Sequence, residues 1–536
     1  MVFCLGLRLR RRYSHTWSEC IGLGSTLGRS LGFLIIRGRG ILVFLSFIVE
    51  IAGLLSVAAI LVFSLGQTWL AVLYRRSKKD KNGSLGAPPP WSGPLPNVLV
   101  QLPIYNEQYV VERLLRNVAL MDYPADKLSI QLLDDSTDAT TAIAAQVIAE
   151  LKTKGFNIAH IRRPEHTGFK AGALDYGLKL SDDEFVAIFD ADFMPRPDFV
   201  KGVLAYFSDA SVGMVQTRWE HLNADYSIIT RMMAFAIDNH FSVEHGGRQA
   251  SDSFINFNGT GGMWRRKTIE DAGGWRSDTL TEDLDLSFRS QIRGWKFIFT
   301  EIITTPSELP VQMSAVRSQQ FRWTKGAAET GRKTLSNLWN SDARFSTKVV
   351  GSFHMLNSSV FLFLAIVALT SGLLPFLPSP HFMQVAWAMN LMMVAAVVAN
   401  LFTYWTSQRS GNFVSADHSP ASLIYTTIAF MAMATGLCLQ CSLAVVQGLF
   451  GKQTPFVRTP KLDVTASSTP IAGRRAYNVK AIAPAVYIEL ASAILFTGLA
   501  VFGLGYPAQV FVLTYIFFAA GFFVVSILSL REAFAG

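Results

Sequence analysis

The hydrophobic positions along the chain fall into two regimes. Ile41 to Tyr74 is a near-continuous apolar stretch interrupted by a single acid, Glu50. At about 1.5 Å per residue it exceeds the roughly 30 Å hydrocarbon core of a bilayer, enough for one crossing and too little for two. Runs of the same kind return at His354 to Leu377, Phe382 to Tyr404, Ala421 to Phe450, Ala481 to Gly505 and Gln509 to Leu530. Between Tyr74 and His354 nothing reaches spanning length, so a soluble domain of over 250 residues is inserted between the first membrane helix and the rest.

Inside the insert the periodicity changes. Arg75 to Pro96 is charged and then rich in Gly and Pro, the composition of a linker leaving the membrane. NVLVQLP reads as a buried strand, Glu107 to Met121 has helical spacing, LSIQLLDD is a second strand, and Thr137 to Lys154 is a helix. FNIAHIRRP, the helical KAGALDYGLKL and the strand EFVAIFDAD continue the series. Strands alternating with helices predict a mainly parallel sheet covered on both faces, with ligands collecting at the carboxyl ends of the strands. Asp134 and Asp135 end one such strand, and Asp190 and Asp192 end another.

Composition narrows the class. A chain of 536 residues, half of them hydrophobic, accommodates two or three domains but not a single soluble globule. The formal charge of +9 does not point to nucleic acid, because many basic residues flank the apolar runs: Arg75, Arg76, Lys78, Lys79 and Lys81 after the first, Arg474, Arg475 and Lys480 before a later one. That placement favours anionic membrane lipid at a cytoplasmic surface. Residues 1–40 carry seven arginines against one acid, Glu19, and are assigned no function. Of the four cysteines, Cys4 and Cys20 lie in this tail, and Cys438 and Cys441 form a CxxC with no second pair and no nearby His, which reads as helix packing.

The acids carry the chemistry. FDADF sets Asp190 and Asp192 two apart at a strand end, where a turn aims both at one hard cation such as Mg²⁺ or Mn²⁺, or simply makes an acidic turn. In TEDLDL, Glu282, Asp283 and Asp285 open an amphipathic helix; three acids in five residues exceed what capping needs, leaving one free to act as a general base. In SQQFRWTK, Gln319, Arg322 and Trp323 at helical spacing fit either interfacial anchoring or a guanidinium for phosphate beside an indole for a sugar ring.

This order of strand-end acids, DxD, TED, QxxRW and membrane helices resembles the processive family 2 glycosyltransferases, the group of cellulose, chitin, hyaluronan and mannan synthases, over about Asn97 to Lys461. The wording QLPIYNE, LDDSTD, DADF, NFNGTGGMWRR and TEDLDLSFR is most similar to cellulose-synthase-like proteins that build β-mannan or glucan backbones. FVRTPK, Phe456 to Lys461, is similar to the gating-loop pattern F-x-x-T-x-K that closes over the nucleotide in cellulose synthases.

The resemblance implies an α/β, Rossmann-like GT-A glycosyltransferase domain inserted in an α-helical transmembrane domain, with sugar passing from a nucleotide donor by one inverting displacement. Asp134 or Asp135 would contact base and ribose, Lys170 of KAG would lie near the nucleotide, and Asp192 with Asp190 would hold the metal on the diphosphate. Asp283 would deprotonate the acceptor hydroxyl, Gln319 and Arg322 would hold the pyrophosphate, and Trp323, Glu282 and Asn258 would meet the acceptor. Phe456, Thr459 and Lys461 would form the gating loop. Thr260 in FNGTGG is a further acceptor candidate, although a glycine-rich turn explains the composition as well.

The organisation expected is a basic tail at 1–40, a membrane helix at 41–74, a linker at 75–96, the GT-A domain at 97–310, interface helices at 311–350, transmembrane and interfacial helices at 351–450, the gating-like segment at 451–480 and two membrane helices at 481–530. For FVRTPK to face the catalytic side, the crossings between must be even in number; Ala421 to Phe450 is therefore expected to be interfacial or re-entrant, giving five spans, a cytoplasmic catalytic domain and the amino terminus across a cell or Golgi-type membrane. The expected activity is a metal-dependent hexosyltransferase passing mannose from GDP-mannose or glucose from UDP-glucose to a growing β-linked polysaccharide, coupled to its secretion. The rivals are a lipid glycosyltransferase acting on diacylglycerol or a similar lipid, and a non-catalytic nucleotide-binding transporter or scaffold.

Overall fold

The computed structural model describes residues 21–80, 86–88, 90–410, 419–454, 458–459, 461–465, 483–505 and 507–535, with side chains from Gly40 onward except at 410, 507 and 535. The tail 1–20 with Cys4 and Cys20, the basic residues Lys81, Arg474, Arg475 and Lys480, and Phe456 lie outside the described residues.

The strands are β1 (Val98–Ile104), β2 (Leu128–Asp134), β3 (Ile158–Ile161), β4 (Phe185–Ile188), β5 (Val212–His221), β6 (Gly262–Arg265) and β7 (Lys296–Ser307). They form one sheet in the order β3-β2-β1-β4-β6-β5-β7. The half from β3 to β4 is parallel, as the alternation predicts. The other half departs from it: β6 runs antiparallel to both β4 and β5, while β5 and β7 are parallel. β5 ends at the same edge as β4, and the helical segment after it returns the chain to that edge, so β6 enters there with Gly262 beside Ile188 and Gln216. The turn just before it holds Gly259 at φ +80 and Gly261 at φ +63, a left-handed path open to glycine. The loop therefore lies at the same edge as the carboxyl ends of β1, β2 and β4.

Period-two alternation explains why the sheet is covered twice. On β1, Val98, Val100, Leu102 and Ile104 enter one core with Leu114, Leu115 and Val147, whereas Leu99 enters the other. On β4, Phe185 and Ala187 join the first core, and Val186 and Ile188 join the second. The second core also takes in Met313 and Val316 of the Met313–Trp339 helix, Met433 and Leu437 of the broken apolar run, and Val525 of the last helix. The catalytic sheet thus sits directly on the membrane helices through continuous apolar packing.

Among the described residues, five helices are long and apolar enough to cross a membrane: Gly40–Lys79, Phe345–Phe376, Phe382–Arg409, Pro484–Gly503 and Ala508–Phe534. The sixth apolar run is split into Pro420–Gly436 and Cys438–Leu449, bent by 55° at the break. Leu55, Leu391, Ile494 and Leu513 project large apolar side chains outward from these helices, the disposition that suits lipid. Backbones approach closely where small residues meet: a Cβ on Gly436 would stand 2.2 Å from the Gly521 carbonyl oxygen. A buried ion pair joins the two layers, Arg317 of the Met313–Trp339 helix with Glu489 of the Pro484–Gly503 helix, and Gln440 Oε1 accepts from the same guanidinium at 2.8 Å.

Gly436→Ala should cost about 1–3 kcal/mol through this overpacking. In detergent its thermal midpoint should fall several degrees, while Gly498→Ala, whose Cβ meets nothing within 4 Å, leaves it unchanged.

Candidate active site

The exits of β1 and β2 are tied first. Asn106 sits at φ 57, its N–H donates to Ser136 Oγ at 2.8 Å, and its Oδ1 accepts from the Thr137 N–H at 2.8 Å. Asp134 is fully buried and accepts from the Ser136 N–H at 2.8 Å, with His160 Nε2 2.9 Å from its other oxygen. Burial raises the Asp134 carboxyl, but these hydrogen bonds prevail and hold it at about 2. Asp135 grips Arg163, whose Nη1 and Nη2 donate to the carbonyls of Thr167 and Phe169 at 2.8 and 3.2 Å. The pair fixes the loop that launches the Phe169–Leu178 helix, and hence Lys170.

Lys170 Nζ lies 2.5 Å from Asp190 Oδ1 and donates to the Gly259 carbonyl at 2.8 Å. Burial works against its charge, but Asp190, Glu282 and Asp283 outweigh it and raise the ammonium above its ordinary range. The Asp190 N–H donates to Thr260 Oγ1 at 2.9 Å, which locks the DxD turn to the glycine turn. Gly259 is tight: the position of a Cβ there is 3.0 Å from Asp283 Oδ2 and 3.4 Å from Lys170 Nζ.

Asp283 opens the Glu282–Ile292 helix, and its Oδ1 accepts from the Leu284 N–H at 2.8 Å. Burial and the negative charge of Glu282 push its carboxyl up to about 7. Glu282 is raised as well, chiefly by burial, with Lys170 pulling against it. Arg322 brings its positive field against Glu282 and Asp190, although burial lowers it. On the same helix Gln319 buries an Oε1 that has no hydrogen-bond partner among the described residues, and Trp323 is 36% exposed.

Residues 458–459 and 461–465 strap across this cleft. Arg458 pairs with Glu107, Arg322 Nη2 donates to Thr459 Oγ1 at 2.6 Å, and Lys461 Nζ meets Asp192 Oδ2 at 2.6 Å. The Leu462 N–H donates to Glu308 Oε1 at 3.0 Å, and Asp463 reaches Arg113 at 2.5 Å. Burial pushes Glu107 up to about 7 against the pull of Arg458. Glu308 is raised by burial and by the nearby Asp192.

Lys170, Asp190, Asp192, Glu282, Asp283, Arg322, Thr459 and Lys461 therefore share one cleft. Three expected residues spend their side chains elsewhere. Asp134 is committed to His160 and Ser136, and Asp135 to Arg163. The Asn258 amide faces away, its Oδ1 on His240 Nε2 at 3.0 Å and its Nδ2 on His245 Nε2 at 2.9 Å. Glu107, Arg113, Arg163 and Glu308 escaped notice as site residues. Glu107 stands in QLPIYNE and Arg458 within FVRTPK, but only the fold pairs residues 351 apart.

A divalent cation fits the DxD pair on one observation. Asp192 is 2% exposed, and its Oδ1 has no hydrogen-bond partner among the described residues while its Oδ2 takes Lys461. No group of three or more His, Cys, Asp or Glu side chains among the described residues makes a closed metal cage. Two carboxylates with the remaining positions left to water and phosphate suit Mg²⁺ or Mn²⁺.

An α/β domain carrying a DxD turn and set on apolar helices is the class these observations define. The family described as "Glycosyltransferase like family 2" matches residues 96–326. A "Probable glucomannan 4-beta-mannosyltransferase 15" of Arabidopsis thaliana is 34% identical over 412 residues, 73% of each chain. A "Glucomannan 4-beta-mannosyltransferase 2" from the same plant is 40% identical over 264 residues, 48% of this chain and 49% of the relative, so that match spans about half the relative's length. A solved mannosyltransferase from Pyrobaculum calidifontis, in complex with GDP-Man and Mn2+, aligns over 76% of this chain and all of its own at 20% identity and a TM-score of 0.49. The chain belongs to the family 2 glycosyltransferases, in the cellulose-synthase-like group that contains the glucomannan mannosyltransferases.

Gly259→Ala should cut turnover about tenfold or more, because φ +80 strains a Cβ that also presses on Asp283. Circular dichroism and nucleotide affinity should stay near wild type, and sugar-transfer assays check the loss.

Proposed function

We propose that the protein is a membrane-embedded inverting hexosyltransferase that lengthens a β-linked polysaccharide, with GDP-mannose as the favoured donor and UDP-glucose the alternative. The observation that carries this is the convergence of Asp283, Lys170, Asp190, Asp192 and Arg322 on one cleft at the membrane-facing helices. The names of the relatives, glucomannan mannosyltransferases, favour mannose and a polysaccharide acceptor.

Asp283 is the base. A carboxyl near 7 is half ionised at neutral pH and strong enough to accept the proton of an acceptor hydroxyl. As that oxygen bonds to the anomeric carbon, the bond from carbon to phosphate oxygen breaks and the nucleoside diphosphate departs. Lys170 and Arg322 stabilise the charge that grows on it. Asp190 and Asp192 would hold Mg²⁺ or Mn²⁺, which when bound neutralises diphosphate charge. Lys461 and Thr459 hold the strap over the cleft and limit the entry of water. Trp323, partly exposed next to Arg322, offers a ring face to the acceptor sugar, and Gln319 with its unsatisfied carbonyl takes an acceptor or donor hydroxyl.

The catalytic domain faces the cytoplasm, where nucleotide sugars are made, and the membrane is a cell or Golgi-type one. Product leaves through the helices on which the Met313–Trp339 helix rests.

Purified protein supplied with Mn²⁺ and labelled GDP-mannose should make chromatographically polymeric product; glycolipid alone, or nothing from any nucleotide sugar, overturns the proposal. Asp283→Asn should retain nucleotide binding and lose about 10²–10⁴-fold of transfer. Because the raised carboxyl must be ionised to act, the wild-type rate should climb with pH through about 7 and flatten above it. A rate that is flat from pH 5.5 to 8 removes Asp283 as the base.

A further inference from the structure

Beneath the glycine turn that carries Gly259 and Thr260 lies a chain of polar side chains that the transfer chemistry does not use. Its anchor is Arg248, 2% exposed, whose Nη1 donates to His354 Nδ1 at 2.5 Å and whose Nη2 donates to Asn256 Oδ1 at 3.1 Å. Asn256 Nδ2 donates in turn to Asn258 Oδ1 at 2.6 Å, and Asn258 Nδ2 to His245 Nε2 at 2.9 Å. His240 Nε2 is 3.0 Å from the same Asn258 Oδ1, and His240 Nδ1 is 2.7 Å from Glu244 Oε2. Glu244 Oε1 accepts from Gln67 Nε2 at 2.8 Å. Gln67 lies on the Gly40–Lys79 helix and His354 on the Phe345–Phe376 helix, so the chain runs from two membrane helices to the turn.

The hydrogens along this chain follow from the guanidinium. Arg248 only donates, so Asn256 turns its oxygen to Arg248 and its NH2 to Asn258. Asn258 then turns its oxygen to Asn256 and its NH2 to His245, whose Nε2 accepts; the His245 ring is neutral, with its hydrogen on Nδ1. Burial pushes His245 well below the ordinary histidine range, in agreement. His240 faces acceptors on both sides, Asn258 Oδ1 at Nε2 and Glu244 at Nδ1. Both of its nitrogens therefore carry hydrogen, and the ring is an imidazolium paired with Glu244. Burial raises the Glu244 carboxyl, but the hydrogen bond and charge of His240 outweigh it and hold the carboxyl at about 2, which keeps the shared proton on the ring.

The pair reaches the site through the turn. His240–His245 is a π-helical turn closed from residue i to i+5, which stands His240 beside Glu244 and sets its ring centre 4.7 Å from that of His245. Asn258, gripped by both rings, directly precedes Gly259, and Gly259 and Gly261 have no side chains to hold their left-handed path. That path matters, because the Gly259 carbonyl accepts from Lys170 and Thr260 Oγ1 from the Asp190 N–H. We propose, on the reading of the cleft as a sugar-transfer site, that His240 in its charged form is a positioning residue: it fixes the Asn258 amide, and with it the turn that seats Lys170 and Asp190. Its own side chain touches neither donor nor acceptor.

The test uses the full-length protein in nanodiscs, with isotope-labelled histidine nitrogens and glutamate carboxyl carbons read by solid-state NMR. At neutral pH the ring next to a glutamate carboxyl should have both nitrogens protonated. Among the described residues His240 is the histidine bonded to a glutamate, while His160 and His221 bond aspartates, so the signal is assigned without a variant. His240→Phe, which removes both hydrogen bonds, should lower kcat about tenfold and leave KM for the nucleotide sugar within about threefold of wild type. Asn258→Leu should behave alike, and the double variant should lose no more than the larger single loss, because the two residues act in series. A neutral ring beside Glu244, losses that add, or a His240→Phe protein with wild-type kcat overturns the proposal. The spectra decide the state of the ring whether or not any donor is turned over, so a failure of the sugar-transfer reading shows separately, as wild-type protein that makes no product.

Discussion

Mutual repulsion among carboxylates is the constraint around which the catalytic half is built. Glu107, Asp190, Asp192, Glu282, Asp283 and Glu308 are buried or half-buried near one another, where water screens little. Such a cluster persists only if cations are threaded through it or protons are taken up. Both occur. Lys170, Lys461, Arg458 and Arg113 each pair with a member, and Glu107 and Asp283, pushed up to about 7, are poised to carry protons at neutral pH. The arrangement is suited to a ligand that brings negative charge together with a cation, since both can exchange with groups already in place.

The helix Met313–Trp339 transmits this constraint to the membrane. Its middle carries Gln319, Arg322 and Trp323, with Arg322 reaching Thr459 of the strap, while Arg317, earlier on the helix, is anchored on Glu489 inside the helical layer. Lys325, one turn later, donates to Thr454 Oγ1 at 2.7 Å, just ahead of the strap. Cleft, strap and membrane helices are therefore parts of one mechanical unit. An acceptor resting on Trp323 would lie at the junction between chemistry and bilayer.

Much of the fold was legible because apolar periodicity is a local property. The alternation of β1 through β4 and the apolar helices followed directly from spacing. The reversed β6 did not, because its direction depends on the edge to which the helical segment after β5 returns the chain, and local spacing does not carry that. Among site residues, Asp190, Asp192 and Asp283 announced themselves by clustered acids at a strand end or helix start. Glu107 and Glu308 are lone acids, and their meaning depends on Arg458, Leu462 and Arg113 arriving from distant segments. Asn258 is the opposite case: a polar residue in a glycine turn suggests a ligand contact, and the fold sets its amide against the half-buried His240 and the buried His245.

A density map of the protein bound to Mn²⁺ and a non-hydrolysable GDP-mannose analogue tests the central claim most directly. The account predicts the diphosphate between Lys170 and Arg322, the metal on Asp190 and Asp192, and the Asp283 carboxylate open toward the sugar's anomeric carbon. A nucleotide bound outside this cleft, or an Asp283 side chain turned away from the sugar, would contradict it.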